Sequence, residues 1–225
     1  VYRRLLRLAR KWKRIPSVPE IKLLRGEKER EFVLSPEDEP RYFDALPQNL
    51  RGFCPFLTDA GLRVGEAIAL EWPQVNLREK PGYVTVRAST AKNSEKRTVD
   101  LTPRARAILE GISGRAGRVF RNADGGPLCH NWLDRQHAEV RELLGFPEEF
   151  VLHSLRHTFG TRLGASGVDV RTIMYLMGHK SLAVAQKYIH PSTDATRRAI
   201  VRMAEACKVP TKVPTRLKAV KGRNQ

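Results

Sequence analysis

Four side chains between Val151 and His190 are of types that bind, protonate or attack a phosphate: His153, Arg156, His179 and Tyr188. An arginine offers a planar, permanently charged fork for two phosphate oxygens, and an imidazole gives or takes a proton near neutral pH. A tyrosine hydroxyl is a nucleophile once its proton is accepted nearby. His153 and Arg156 stand three residues apart, so on a helix they point the same way. His179 follows Gly178, where a helix would stop, and Tyr188 comes nine residues later between Lys187 and His190. Far upstream, Arg63 follows Ala60-Gly61-Leu62, with Glu66 one turn on and able to orient its guanidinium. His157 lies four residues after His153, but the glutamate of H-E-x-x-H is lacking and Arg156 sits between the two, so no metal site is expected. Tyr83 and Tyr175 read as core tyrosines, and Lys92, taken by itself, as a solvated turn lysine.

Those side chains must be held by elements that the apolar periodicity and the turn formers predict. Ser35-Pro36-Glu37-Asp38 is a helix start, and helices are expected over 35–46, 50–60 and 64–72. Alternating, β-branched residues at 83–86 and 98–101 predict an antiparallel hairpin, with Lys92 in the polar turn between its strands. Thr102-Pro103 opens a helix to about 113, and another covers 129–144. Further helices are expected over 154–165, from an Asp169 cap to Gly178, from a Ser181 cap to Tyr188, and over 192–206. The fold class is therefore α+β and mainly α, with a small antiparallel sheet. Leu5, Leu6, Leu8, Ala9 and Trp12 fall on one face of residues 1–14, a helix too short to bury its stripe alone. Residues 15–34, with Pro16, Pro19 and the run RGEKERE, read as a linker, and 35–207 as one domain. Residues 208–225 contain the tandem KVPTKVPT and read as a disordered basic tail.

Composition fits this picture. The 225 residues are 41% hydrophobic and 29% charged, a globular balance. No apolar run approaches the roughly 20 residues of a membrane span, and the N-terminus lacks the features of a signal peptide. Three widely spaced cysteines make neither a disulfide framework nor a metal knuckle, which points to a reducing, cytoplasmic setting. The net charge of +17 favours a polyanionic partner. Residues 1–14 carry seven basic side chains and residues 208–225 six, with no acid in either, so the middle keeps only +4.

Taken in order, the chemistry-bearing segments resemble the catalytic domain of the tyrosine recombinases, the phage integrase family. DAGLRVGEAIAL is similar to the family's first arginine box, TAKNSEKRTVDL to its lysine-bearing β-hairpin, HSLRHTF to its H-x-x-R box, and LMGHKSLAVAQKYIH to its L-G-H…Y box. Ala60, Ala67 and Met177 depart from common choices at positions that are not catalytic. The resemblance implies Arg63, Lys92, His153, Arg156, His179 and Tyr188 as the catalytic set. It implies attack by Tyr188 on a DNA phosphodiester to give a 3′-phosphotyrosine and a free 5′-hydroxyl, without metal, ATP or any other cofactor. It implies double-stranded DNA as partner, met in part by Arg135, His137 and Arg141, and self-association as a tetramer on two duplexes, with no membrane. It also implies that residues 1–14 are the last helix of an N-terminal DNA-binding domain otherwise missing. Three other readings stay open: a type IB topoisomerase, a DNA-binding module with an inactive site, and a basic helical interaction domain.

Overall fold

The computed structural model describes residues 2–19, 32–87, 96–188 and 193–206, and the chain divides into two units, Val1–Arg30 and Glu31–Gln225. The first unit carries helix α1 (Tyr2–Lys11), on which Leu5 and Leu8 are exposed, as is Trp12 just beyond it. Everything below concerns the second unit. No helix among the described residues is long and apolar enough to cross a membrane.

Helix α2 (Asp38–Ala45) follows Ser35, whose Oγ accepts the Asp38 N–H at 3.0 Å, and it carries Asp38 and Glu39 in its first turn, where carboxylates suit the helix dipole. Helix α3 (Phe53–Ala60) is the centre of the unit: all eight of its residues are buried. Fully burying each large apolar chain there contributes about 1.5–3 kcal/mol. It ends at Gly61, whose φ of 60° is left-handed, and a Cβ at that position would stand 2.1 Å from the Phe159 ring. Glycine thus serves twice, for the turn and for the close approach of the next helices.

Helix α4 (Val64–Ile68) begins at Arg63 and is shorter than the 64–72 expected. The chain tightens where Leu70 N–H bonds to Ala67 O, and Trp72–Gln74 form a short 3-10 turn around Pro73, which has no N–H to continue a helix. A three-stranded antiparallel meander follows: β1 (Val75–Asn76), β2 (Tyr83–Val86) and β3 (Arg97–Asp100). Residues 83–86 are predicted correctly, whereas β1, only two residues long, leaves no periodic signal to read. Val84 pairs with Val99 and Val86 with Arg97, so an arginine occupies a buried register position beside valines. Lys92 lies outside the described residues.

Helix α5 (Pro103–Gly111) is capped by Thr102, whose side chain accepts Ala105 N–H. Helix α6 (His130–Leu143) buries Leu133, His137 and Val140. Helix α7 (Leu152–Ala165) packs along α3, and α8 (Val170–Met177) is capped by Asp169, which accepts the N–H groups of Arg171 and Thr172. Helix α9 (Leu182–Gln186) stops two residues short of Tyr188, and Ser181 makes no side-chain cap bond. Helix α10 (Thr193–Ala206) completes the described chain. Charged pairs tie the elements together: Glu39 of α2 accepts from Arg104 of α5 and Arg162 of α7, and Arg104 also grips Asp59 of α3.

Candidate active site

The sequence brings three arginines to one helix end. The last carbonyls of a helix have no donor within it, and the helix dipole makes that end attractive to cations. At the end of α8, Arg97 Nε donates to Leu176 O at 2.9 Å, Arg156 Nη2 to Met177 O, and Arg63 Nη2 to Gly178 O at 2.7 Å. Three consecutive carbonyls thus receive guanidiniums from β3, α7 and the start of α4. Gly178, at φ 61°, turns the chain so that His179 follows directly.

Arg156 is 2% exposed and also donates to Gly61 O at 2.6 Å. Burial, and then the neighbouring charges of Arg63 and Arg97, pull its pKa down to about 10, with Glu66 and Tyr188 opposing, so it stays cationic at neutral pH. Arg63 is half-exposed and donates to Glu66 Oε1 at 2.8 Å, while its own backbone N–H donates to Glu66 Oε2. The orienting role expected for Glu66 is therefore present. Arg97 was not singled out in the sequence; it donates to both oxygens of Glu66, at 3.0 and 2.6 Å. Burial alone would raise the Glu66 carboxyl, but the hydrogen bonds and charge of Arg97, with those of Arg63, hold it at about 2.

Tyr188 is buried, its ring 5.9 Å from His179 and nearly parallel to it, and 5.1 Å from His157. Gly160 of α7 makes room for it, since a Cβ there would come within 2.8 Å of the ring. Lys187 Nζ lies 5.6 Å from the same ring. His157 is thus a packing partner of Tyr188, and among the described residues no three His, Cys, Asp or Glu groups gather as metal ligands. Tyr175 is not a core residue as read: it is 53% exposed, with its hydroxyl accepting from Thr98 N–H.

Partial burial and the charges of Arg156, Arg63 and Lys187 push His179 down to about 4, and burial with Arg156 lowers His153 as well. Both rings are then neutral near pH 7, each able to accept or donate a proton without adding to a crowd of cations. The linkage has a sign. An unfolded histidine protonates near 6.5, whereas folded His179 resists protonation until about 4. Stability is therefore full above pH 6.5 and falls as the pH drops through that window. Glu66, ordinarily near 4.5 and here about 2, adds a further loss below it. The melting temperature should decline from about pH 6.5 downward; a flat profile to about pH 5 in thermal unfolding would contradict these assignments.

Arg63 and His153 also line a cavity of about 520 Å³ with His130, Asp134 and Arg141 of α6. Of the three residues expected to meet DNA, Arg135 is exposed on α6 and Arg141 lines this cavity. His137 also borders this cavity but is only 2% exposed, with Nε2 donating to Phe150 O and Nδ1 accepting from the Tyr42 hydroxyl, both at 2.7 Å. A ring so engaged belongs to the core. Its place between Leu133 and Val140 on one helical face was the available signal.

Residues 31–194 match the model of the phage integrase family. Among curated proteins, the chain is 36% identical over 146 residues to the tyrosine recombinase XerC of Rhodospirillum centenum, covering 61% of this chain and 41% of that one. It is 31% identical over 166 residues to the tyrosine recombinase XerD of Corynebacterium glutamicum, covering 68% and 52%. The chain thus spans about half the length of the curated relatives it matches. Among solved structures, the Tn1549 transposon integrase in complex with circular intermediate DNA superposes with a TM-score of 0.70 at 19% identity, over 89% of this chain and 77% of that one. The XerA recombinase gives 0.59 at 24% identity, over 76% and 65%. These likenesses establish a shared fold.

Proposed function

The chain belongs to the phage integrase family, and from that premise we propose that it cleaves and rejoins duplex DNA at specific sites, with Tyr188 as the nucleophile. The observation that carries the reading is the gathering of Arg63, Arg156 and His179 around one helix end, with the Tyr188 ring stacked on His179. Tyr188 Oη attacks the scissile phosphorus, its proton passing to His153. Arg63 and Arg156 hold the non-bridging oxygens, and a ring N–H of His179 adds a hydrogen bond. The bond from phosphorus to the 5′ oxygen breaks, and Lys92 protonates that oxygen as it leaves. One phosphate ester has been exchanged for another, so a 5′-hydroxyl from a second duplex reverses the step and joins new strands without an energy source.

The rest of the organisation follows from the same reading. Residues 35–207 are the catalytic domain and 15–34 the linker. Arg135 and Arg141 meet the duplex, and the protein assembles as a tetramer on two duplexes in the cytoplasm.

Guanidiniums and a lysine supply the charge and the proton in this scheme, so covalent trapping is expected to survive excess EDTA. The chain would be incubated with nicked suicide duplexes, the protein–DNA adduct isolated under denaturing conditions, and the trapped ends sequenced. An adduct that forms only with added Mg²⁺, or no adduct at low salt, would overturn the reading. A supercoil-relaxation assay separates it from a topoisomerase.

A further inference from the structure

Arg97 has the side chain of a phosphate-binding residue and the surroundings of something else. It is 6% exposed, and its fork is spent on protein atoms: Nε on Leu176 O, Nη1 on Glu66 Oε1 and Nη2 on Glu66 Oε2. Its guanidinium also lies against Gly178, where a Cβ would come 2.7 Å from Nη1. Glu66 in turn accepts four hydrogen bonds, two from Arg97 and two from Arg63, one of these from the Arg63 backbone. That fills the capacity of a carboxylate.

We infer that Arg97 is a positioning residue that holds Glu66 and the end of α8 so that Arg63 and His179 face the phosphate, an inference that rests on the function proposed above. By occupying half of the carboxylate, Arg97 limits Glu66 to one side-chain bond with Arg63. With Arg97 gone, Glu66 is free to close on the Arg63 fork as a bidentate pair, the strongest arrangement open to it. The charge of Arg63 is then quenched and its fork turned from the substrate. The Leu176 carbonyl loses its donor in the same change, which loosens the turn carrying His179.

The test compares Arg97→Lys and Arg97→Gln with the parent chain on a duplex whose sequence comes from the trapped ends. Single-turnover adduct formation is measured on the normal phosphodiester and on a methylphosphonate at the scissile position, with DNA affinity and thermal melting alongside. The variants are expected to form adduct on the order of 100-fold more slowly on the phosphodiester, the loss that misplacement of a reacting group brings. On the methylphosphonate, which is uncharged and asks less of Arg63, the loss should shrink to roughly tenfold or less. DNA affinity should stay at the parent's level. Equal rates in variant and parent, an equal deficit on both substrates, or a collapse of melting temperature in both variants would overturn the proposal, the last by making Arg97 a folding residue. Absence of adduct with the parent chain would instead remove the proposed function itself, and this inference with it.

Discussion

Tyr188→Phe is expected to bind DNA as the parent chain does and to form no covalent adduct. The change removes one hydroxyl and leaves the ring, which is what packs on His157, His179 and Gly160. Stability should therefore move by no more than about 1 kcal/mol, the net worth of an ordinary hydrogen bond. Cleavage should fall far more, because removal of a covalent nucleophile costs on the order of 10⁶ in rate where it has been measured. Denaturing gels after incubation with nicked duplex check for the adduct, and binding measured at low salt checks the affinity. An adduct at the parent's level in this variant would transfer the role to another residue. Tyr175 is the exposed alternative in α8, so Tyr175→Phe should trap DNA normally.

Replacement of Arg63 or Arg156, the two arginines proposed to hold the phosphate, by alanine is expected to abolish cleavage in both cases and to damage the fold in only one. Loss of a preorganised charge at a developing oxyanion costs about 10²–10³ in rate. Arg63 is half-exposed, so water replaces it on Gly178 O and the melting temperature should change little. Arg156 is buried, and its loss strands the carbonyls of Gly61 and Met177. At about 1 kcal/mol or more for each stranded group, the melting temperature should fall by roughly 4–8 °C. Single-turnover trapping and thermal unfolding on both variants test this together. Equal thermal damage in the two, or cleavage retained in either, would refute it.

The residue types of the site are legible in the sequence, because each stands in a short box beside its own turn former: Arg63 after Gly61, His179 after Gly178. Their mutual placement is not. It depends on which carbonyls at the end of α8 remain without donors, and no local pattern states that. Arg97 shows the difference. Within KNSEKR it is one basic residue among several, and only the pairing of β2 with β3 makes it buried. His137 shows the opposite case, since the resemblance placed it among the DNA contacts while its helical spacing with Leu133 and Val140 already placed it inward. Most of the helices were legible from caps and periodicity. The break after Ile68 was not, because Leu70 and Trp72 continue an apolar pattern that the backbone abandons at Ala69.

The grip on the end of α8 also orders events in time. Arg156, Arg97 and Arg63 reach carbonyls 21, 79 and 115 residues further along the chain. Contacts of such span form only after the intervening loops close. Chains emerge from the ribosome at about 5–20 residues per second and fold from the amino end. During that interval all three guanidiniums are made before the carbonyls they hold. A nascent chain, or one truncated before Gly178, therefore has its cations and no organised site. On the proposed function, strand-cutting chemistry is withheld until synthesis has passed α8, and Tyr188, the proposed nucleophile, is translated last of the set.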